Sequence, residues 1–286
     1  MPSYRYRVVD VFTLQPLEGN PLAVFPDGSA LSDTAMQAIA KELNLSETVF
    51  VLPPSRPGCA VRLRIFTPMR EMLFAGHPTV GASFVLLDEA IVPRDSLSFT
   101  LDEKIGPVPI RVEPGDRPLI WLTTPPIKEG RTYDRGICAA ALGLSAEDLL
   151  DVPPQLLSAG NPNVYIALKD KTAVDRASFN TRGMDSIDPN KDDTPCVFVF
   201  TPTPDGAYSR MFAPAHGVAE DPATGSATGP LAAHMRRHGL TTKTRFVSEQ
   251  GTKMGRRSYL HIQIGEGGQI DVGGYVTPLV EATMTF

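Results

Sequence analysis

EDPATGSATG, residues 220–229, follows a strand-like run and opens a helix-like one, and FAGHPTVGA, residues 74–82, has the same grammar around a histidine. Both junctions are filled with proline and very small residues, and neither carries a lysine. A helix N-terminus presents unpaired N–H groups and roughly half a positive charge, so it attracts an anion without a cation. Small side chains let a ligand come close. If the segments that carry them face each other, the helix starts over Gly76 to Thr79 and Thr224 to Ala227 converge on one carboxylate or other oxyanion. A nucleotide-binding reading fails, because the G-x-x-x-x-G-K-[ST] pattern is absent and GEGG at 265–268 leads into a strand and not a helix.

Working outward, two short words recur. GNP stands at Gly19 to Pro21 and again at Gly160 to Pro162, each before a strand-like run. R-x-F-x-P stands at Arg64 to Pro68 and at Arg210 to Pro214, each leading within about a dozen residues to one of the two junctions. The copies are 141 and 146 residues apart and in the same order, which points to a duplicated unit of about 140 residues. The expected domains are an N-terminal lobe over 1–124, completed by the C-terminal segment 275–286, and a C-terminal lobe over 125–274, with the active site in the cleft between them.

Local patterns fill this frame. Ser32 caps a helix over about 33–43 whose Met36, Ile39 and Leu43 share a face. ETVFVL and AVRLRIF read as a hairpin across Pro53, Pro54, Pro57 and Gly58, and a helix follows with Pro78 at its first position. In the second half, PCVFVF and AYSRMFAP form a hairpin about TPDG, and ATGSATGPLAAHMRRHG forms a second helix that stops at Gly239.

Composition removes several function classes. A chain of 286 residues with 42% hydrophobic and 21% charged residues folds as an ordinary globule. Its net charge of −5, without a Lys/Arg block, offers no footprint for nucleic acid. Cys59, Cys138 and Cys196 are widely spaced and odd in number, which argues against a disulfide framework or a zinc site and suits a reducing cytoplasm. No stretch approaches the 18 or so apolar residues of a membrane helix. His234 and His238 have a zinc-compatible helical spacing but lack an accompanying Glu, so no metal is expected.

Glu47, His77 and Asp221 are groups able to move protons, and all three fall at element boundaries, where a rigid scaffold exposes side chains. Taken singly they read better as a solvated loop acid, a cap or packed ring, and a helix N-cap. Their placement at matching junctions of a duplicated frame makes them candidate catalytic residues, and Thr224 belongs to the anion-binding turn. Asn20 in the first GNP word is a candidate to orient substrate, although Asn before proline is also an ordinary turn former.

Together DVFT, GNPLAVF, NLSETVF, FAGHPTVGA and EDPATGSATG resemble the PhzF-type phenazine-biosynthesis protein family over essentially the whole chain. The resemblance implies an α+β, diaminopimelate-epimerase-like fold: two pseudo-symmetric lobes, each with an antiparallel sheet wrapped around a central helix. It implies a homodimer, and an isomerase that moves a proton without a cofactor on a small cyclic or amino-acid-like carboxylate of the dihydro-hydroxyanthranilate type. By motif position Glu47 is then the acid/base, His77, Asp221 and Ser226 line the pocket, and Gly76 and Gly225 offer N–H groups to the substrate carboxylate. The two-thiol racemases that share this fold place cysteines at the central helix starts, where this chain has none. A catalytically silent binding protein and a lyase using the same glutamate are the alternatives.

Overall fold

A computed structural model describes residues 1–187 and 195–286. The chain divides into two compact units, Met1–Thr123 with Asp271–Phe286, and Thr124–Ile270. In the first unit the elements run β1 (Ser3–Val11), β2 (Asn20–Phe25), α1 (Asp33–Leu43), β3 (Glu47–Leu52), β4 (Val61–Phe66), α2 (Gly76–Asp88), β5 (Ser98–Glu103), β6 (Gly106–Glu113) and β7 (Leu119–Thr123). The second unit runs β8 (Lys128–Thr132), α3 (Arg135–Ala141), β9 (Gln155–Ser158), β10 (Pro162–Ala167), α4 (Lys171–Arg176), α5 (Thr181–Ile187), β11 (Cys196–Thr203), β12 (Gly206–Ala213), β13 (Val218–Asp221), α6 (Gly225–Arg237), β14 (Arg245–Gln250) and β15 (Ser258–Ile264). β16 (Ile270–Gly274) then pairs with β7, and β17 (Val276–Thr285) returns to the first unit to pair with β1 from Ser3↔Thr285 to Val11↔Val276.

The fold is α+β and mostly sheet. Most pairings are the expected antiparallel ones, but each unit also contains parallel joins: β2–β3 and β4–β5 in the first, β10–β11 and β12–β14 in the second. A parallel pair needs a crossover between its strands, and α1 and α2 supply these in the first unit as α4 with α5 and α6 do in the second. The GNP words run into the starts of β2 and β10, and the R-x-F-x-P words end β4 and β12, so the sequence repeat marks equivalent strands.

Each unit is built around one helix that is apolar on nearly every side. In α2 the residues Gly76 to Ser83 are all buried, and in α6 Gly225 to Ala232 are. A helix apolar all round belongs in an interior. Val80, Val85 and Leu86 are completely buried, and each such side chain contributes about 1.5–3 kcal/mol. Gly81 lets α2 approach the sheet, since a Cβ there would stand 2.6 Å from Leu22 and 2.7 Å from Val11. Pro78 occupies the third helical position rather than the first; an N–H there would still lack an intrahelical acceptor, so the proline costs the helix nothing.

α1 covers the opposite face of the first sheet, capped by Ser32, whose side chain accepts from the N–H of Ala35. Met36 and Ile39 pack there on Phe25, Phe50 and Phe66. Phe25 stacks on Phe50 with ring centroids 4.9 Å apart. Among the described residues no helix is long and apolar enough to cross a membrane.

Candidate active site

The start of β2, the start of β3 and the first turn of α2 bring three of the predicted residues together. β2 and β3 are parallel with Leu22 opposite Glu47, so Asn20 and Glu47 emerge from the same end of the sheet. His77 is the second residue of α2. Its Nδ1 lies 3.2 Å from Nδ2 of Asn20, and its Nε2 lies 3.4 Å from Oε2 of Glu47. Asn20 and His77 are buried, while the Glu47 side chain retains 16% of its exposure.

Electrostatics assigns the histidine a role. An ion pair with Glu47 would need an imidazolium, but complete burial pushes the His77 ring down to about 3, so it is neutral at physiological pH. With the Asn20 amide donating to Nδ1, the remaining proton sits on Nε2, the nitrogen that lies beside the Glu47 carboxylate. At 3.4 Å this is a charge–dipole contact rather than a strong hydrogen bond. It holds one carboxylate oxygen of Glu47 without neutralising the group.

The second unit carries a matching arrangement around α6. Asn161 Nδ2 stands 3.4 Å from Ser226 Oγ, as Asn20 does from His77, and Ser226 is the second residue of its helix. Asp221 ends β13 and is not the helix cap; Thr224 holds that position, donating from Oγ1 to Asp221 Oδ2 at 2.5 Å. Neither central helix has a capping side chain at its start, so the backbone N–H groups of Gly76 and Gly225 are presented without a competing side-chain oxygen. The β10–β11 register places Asn163 opposite Cys196, the counterpart of Leu22 opposite Glu47. The position that holds an acid in one unit thus holds a buried thiol in the other.

Sequence reasoning missed Gln250. Its side-chain amide donates to the main-chain oxygen of Asp221 at 2.8 Å and to Thr224 Oγ1 at 3.0 Å, while Oε1 accepts from the N–H of Thr224 at 3.2 Å. It therefore pins the approach to α6. No local motif marks it, because it lies 25 residues after the helix begins; its place at the end of β14 could have been found only by aligning the repeat strand by strand. His234 packs in the core against Tyr165 and Phe200.

Residues 9–280 match the family model described as phenazine biosynthesis-like protein. The chain belongs to that family. The trans-2,3-dihydro-3-hydroxyanthranilate isomerase of Pseudomonas aeruginosa is 36% identical over 271 residues, covering 93% of this chain and 92% of the relative. The PhzF-family phenazine biosynthesis protein of Bacillus anthracis has the same fold at a TM-score of 0.87, with 25% identity and complete coverage of both chains. A hydroxyproline epimerase from Agrobacterium vitis shares the fold alone, with a TM-score of 0.69 at 11% identity over 99% of this chain and 91% of that one. These likenesses place this PhzF-family chain among isomerases of diaminopimelate-epimerase-like fold.

Proposed function

We propose that this PhzF-family chain is a cofactor-independent isomerase that moves a proton on a small cyclic carboxylate, with Glu47 as the acid/base group. The supporting observation is the Asn20–His77–Glu47 chain, in which a neutral imidazole orients a carboxylate that keeps partial access to solvent. Glu47 takes a proton from ring carbon and returns it to another carbon of the conjugated system. The electron pair left behind delocalises toward the substrate carboxylate, whose negative charge is met by the N–H group of Gly76 at the start of α2. No step requires a cofactor or metal.

The substrate class follows from the curated relative, trans-2,3-dihydro-3-hydroxyanthranilate being the compound to try first. Incubated with it in heavy water, the wild-type chain is expected to give a product with carbon-bound deuterium at the new proton position and no other change in composition. Glu47→Gln is expected to lower kcat by about 10² to 10⁴-fold while leaving Kd within a few-fold. Elimination products would indicate a lyase, and saturable binding without exchange would indicate a silent binder; either result, or full activity in Glu47→Gln, removes the proposal. The family resemblance also supports a homodimer, and a monomer mass by light scattering at micromolar concentration would remove that part.

A further inference from the structure

Glu103 is an acid buried at the end of β5. Along β5 the side chains alternate, so Leu101 and Glu103 face inward while Asp102 faces the other way. The neighbouring strands keep that order. Val61 lies opposite Leu101 on β4, and Val108 lies opposite Leu101 on β6, which surrounds the inward face with Val61, Leu63, Val108 and Ile110. Glu103 is 1% exposed, and among the described residues its Oε2 has no hydrogen-bond partner.

Its other oxygen, Oε1, meets α2. Thr79 Oγ1 stands 2.6 Å from Glu103 Oε1 and 2.8 Å from the main-chain oxygen of Ala75, the residue that caps the helix. A threonine hydroxyl has one proton. If Glu103 were ionised, Thr79 would face two acceptors and could satisfy only one. If Glu103 carries a proton, it donates to Thr79 and Thr79 donates to Ala75, so both contacts of the hydroxyl are made, and the oxygen left without a partner among the described residues, Oε2, carries no charge.

The second unit performs this experiment with an amide. Thr228, the fourth residue of α6 as Thr79 is of α2, donates to the main-chain oxygen of Thr224 at 3.0 Å. The parallel registers Arg62↔Asp102 and Tyr208↔Glu249 make the next residues, Glu103 and Gln250, equivalent ends of equivalent strands. Gln250 is completely buried and donates into the turn that begins α6. A protonated carboxylic acid is the nearest carboxyl likeness of that donor.

We propose that Glu103 is a positioning residue that works as a neutral carboxylic acid, donating its proton to Thr79 and thereby setting the first turn of α2, from which His77 projects. Desolvation pushes the Glu103 carboxyl up to about 8, against a smaller downward pull from Thr79, so the acid ionises just above physiological pH. The charged groups around it are otherwise engaged. Arg56 pairs with Asp102 and donates to the main-chain oxygen of Glu103 at 2.8 Å, while Arg64 and Lys104 are held by Glu71. Arg62 and Arg64 lie on the outward side of β4 and Arg111 on that of β6, and His77, on α2, is neutral. Ionisation forces Thr79 to choose between Glu103 and Ala75, and the turn carrying His77 loosens.

The folded state holds this proton up to about pH 8 and the unfolded chain releases it near 4.5, so the stability it contributes is complete below 4.5 and gone above 8. In denaturant titrations between about pH 5 and 8, the folding equilibrium constant of the wild type relative to Glu103→Gln is expected to fall by up to about tenfold per pH unit, then level off. Infrared spectra of protein labelled with ¹³C at glutamate carboxyls should show a carboxylic-acid C=O band at pH 6.5 that titrates away above pH 8 and is missing from Glu103→Gln. That titration of the wild type decides the matter even where the variant does not fold. With trans-2,3-dihydro-3-hydroxyanthranilate as probe, a decline of wild-type kcat above pH 8 that Glu103→Gln lacks would add the positioning role, which rests on the function proposed above. Absence of turnover would count against that function, and the stability and infrared measurements would still decide the proton on Glu103. Parallel stability curves, no carboxylic-acid band at pH 6.5, or an alkaline decline of kcat that Glu103→Gln retains would overturn the proposal.

Discussion

Asn20 Nδ2 lies 3.2 Å from His77 Nδ1 with both residues buried, so an amide from a turn word fixes which imidazole nitrogen keeps its proton. The other nitrogen then lies beside Glu47, so the setting of the acid depends in part on Asn20 acting through the ring.

Replacing Asn20 with alanine leaves His77 Nδ1 buried without its donor. Urea unfolding is expected to show a loss of about 1–3 kcal/mol. Free to turn, the ring no longer steers Glu47, and kcat should fall by about tenfold to a hundredfold with a smaller change in KM. Unchanged kcat would separate Asn20 from the site.

Acid should test the neutral state of His77. Its folded value near 3 lies below that of the unfolded chain, so the stability gained by burying a neutral ring is complete above about pH 6.5 and is lost as pH falls toward 3. Relative to His77→Asn, the wild type should lose up to about 1.4 kcal/mol per pH unit across that window. In proton NMR its ring resonances should not move between pH 5 and 8, and a titration near 6.5 would contradict the assignment.

Arg210 and Glu220 form a bidentate pair, Nε to Oε1 at 2.9 Å and Nη2 to Oε2 at 2.8 Å, with side chains 9% and 16% exposed. Nη1 also donates to the main-chain oxygens of Val174 and Ala177. Arg210→Met should cost about 3–5 kcal/mol by thermal or urea unfolding, and Arg210→Lys should not restore it, because an ammonium cannot make the fork. The equivalent Arg64→Met should cost less, since Lys104 remains 3.3 Å from Glu71.

Catalysis should be indifferent to thiol reagents. Burial, assisted by nearby Asp134, pushes the Cys138 thiol up to about 12, and Cys196 is packed in the second core. Iodoacetamide at neutral pH should label the half-buried Cys59 first and leave turnover intact. Activity lost in proportion to labelling would return a cysteine to the mechanism.

Much of the first unit's site was legible as words. Glu47 begins a strand, His77 opens a helix and GNP runs into the start of a strand wherever it occurs, because these are local backbone decisions made by proline, glycine and hydrophobic period. The internal repeat carried further, since Arg64 lies over Phe66 and Arg210 over Phe212 in the same way, with centroid distances of 5.0 and 4.8 Å. Asp221 and its sequence neighbour Thr224 are both legible as site candidates, but Gln250 is not, because it is brought to them by the parallel β12–β14 join.

By itself the sequence determined the kind and order of the main elements, the duplicated plan and the family, all of which depend on short-range pattern. Tertiary structure alone decided the parallel joins within each sheet, the burial that makes His77 neutral, and the meeting of Glu103 with Thr79. Charge state in an interior is set by what surrounds a group in space, and residues 24 positions apart in sequence share an environment only after the strands have paired and the central helix is enclosed.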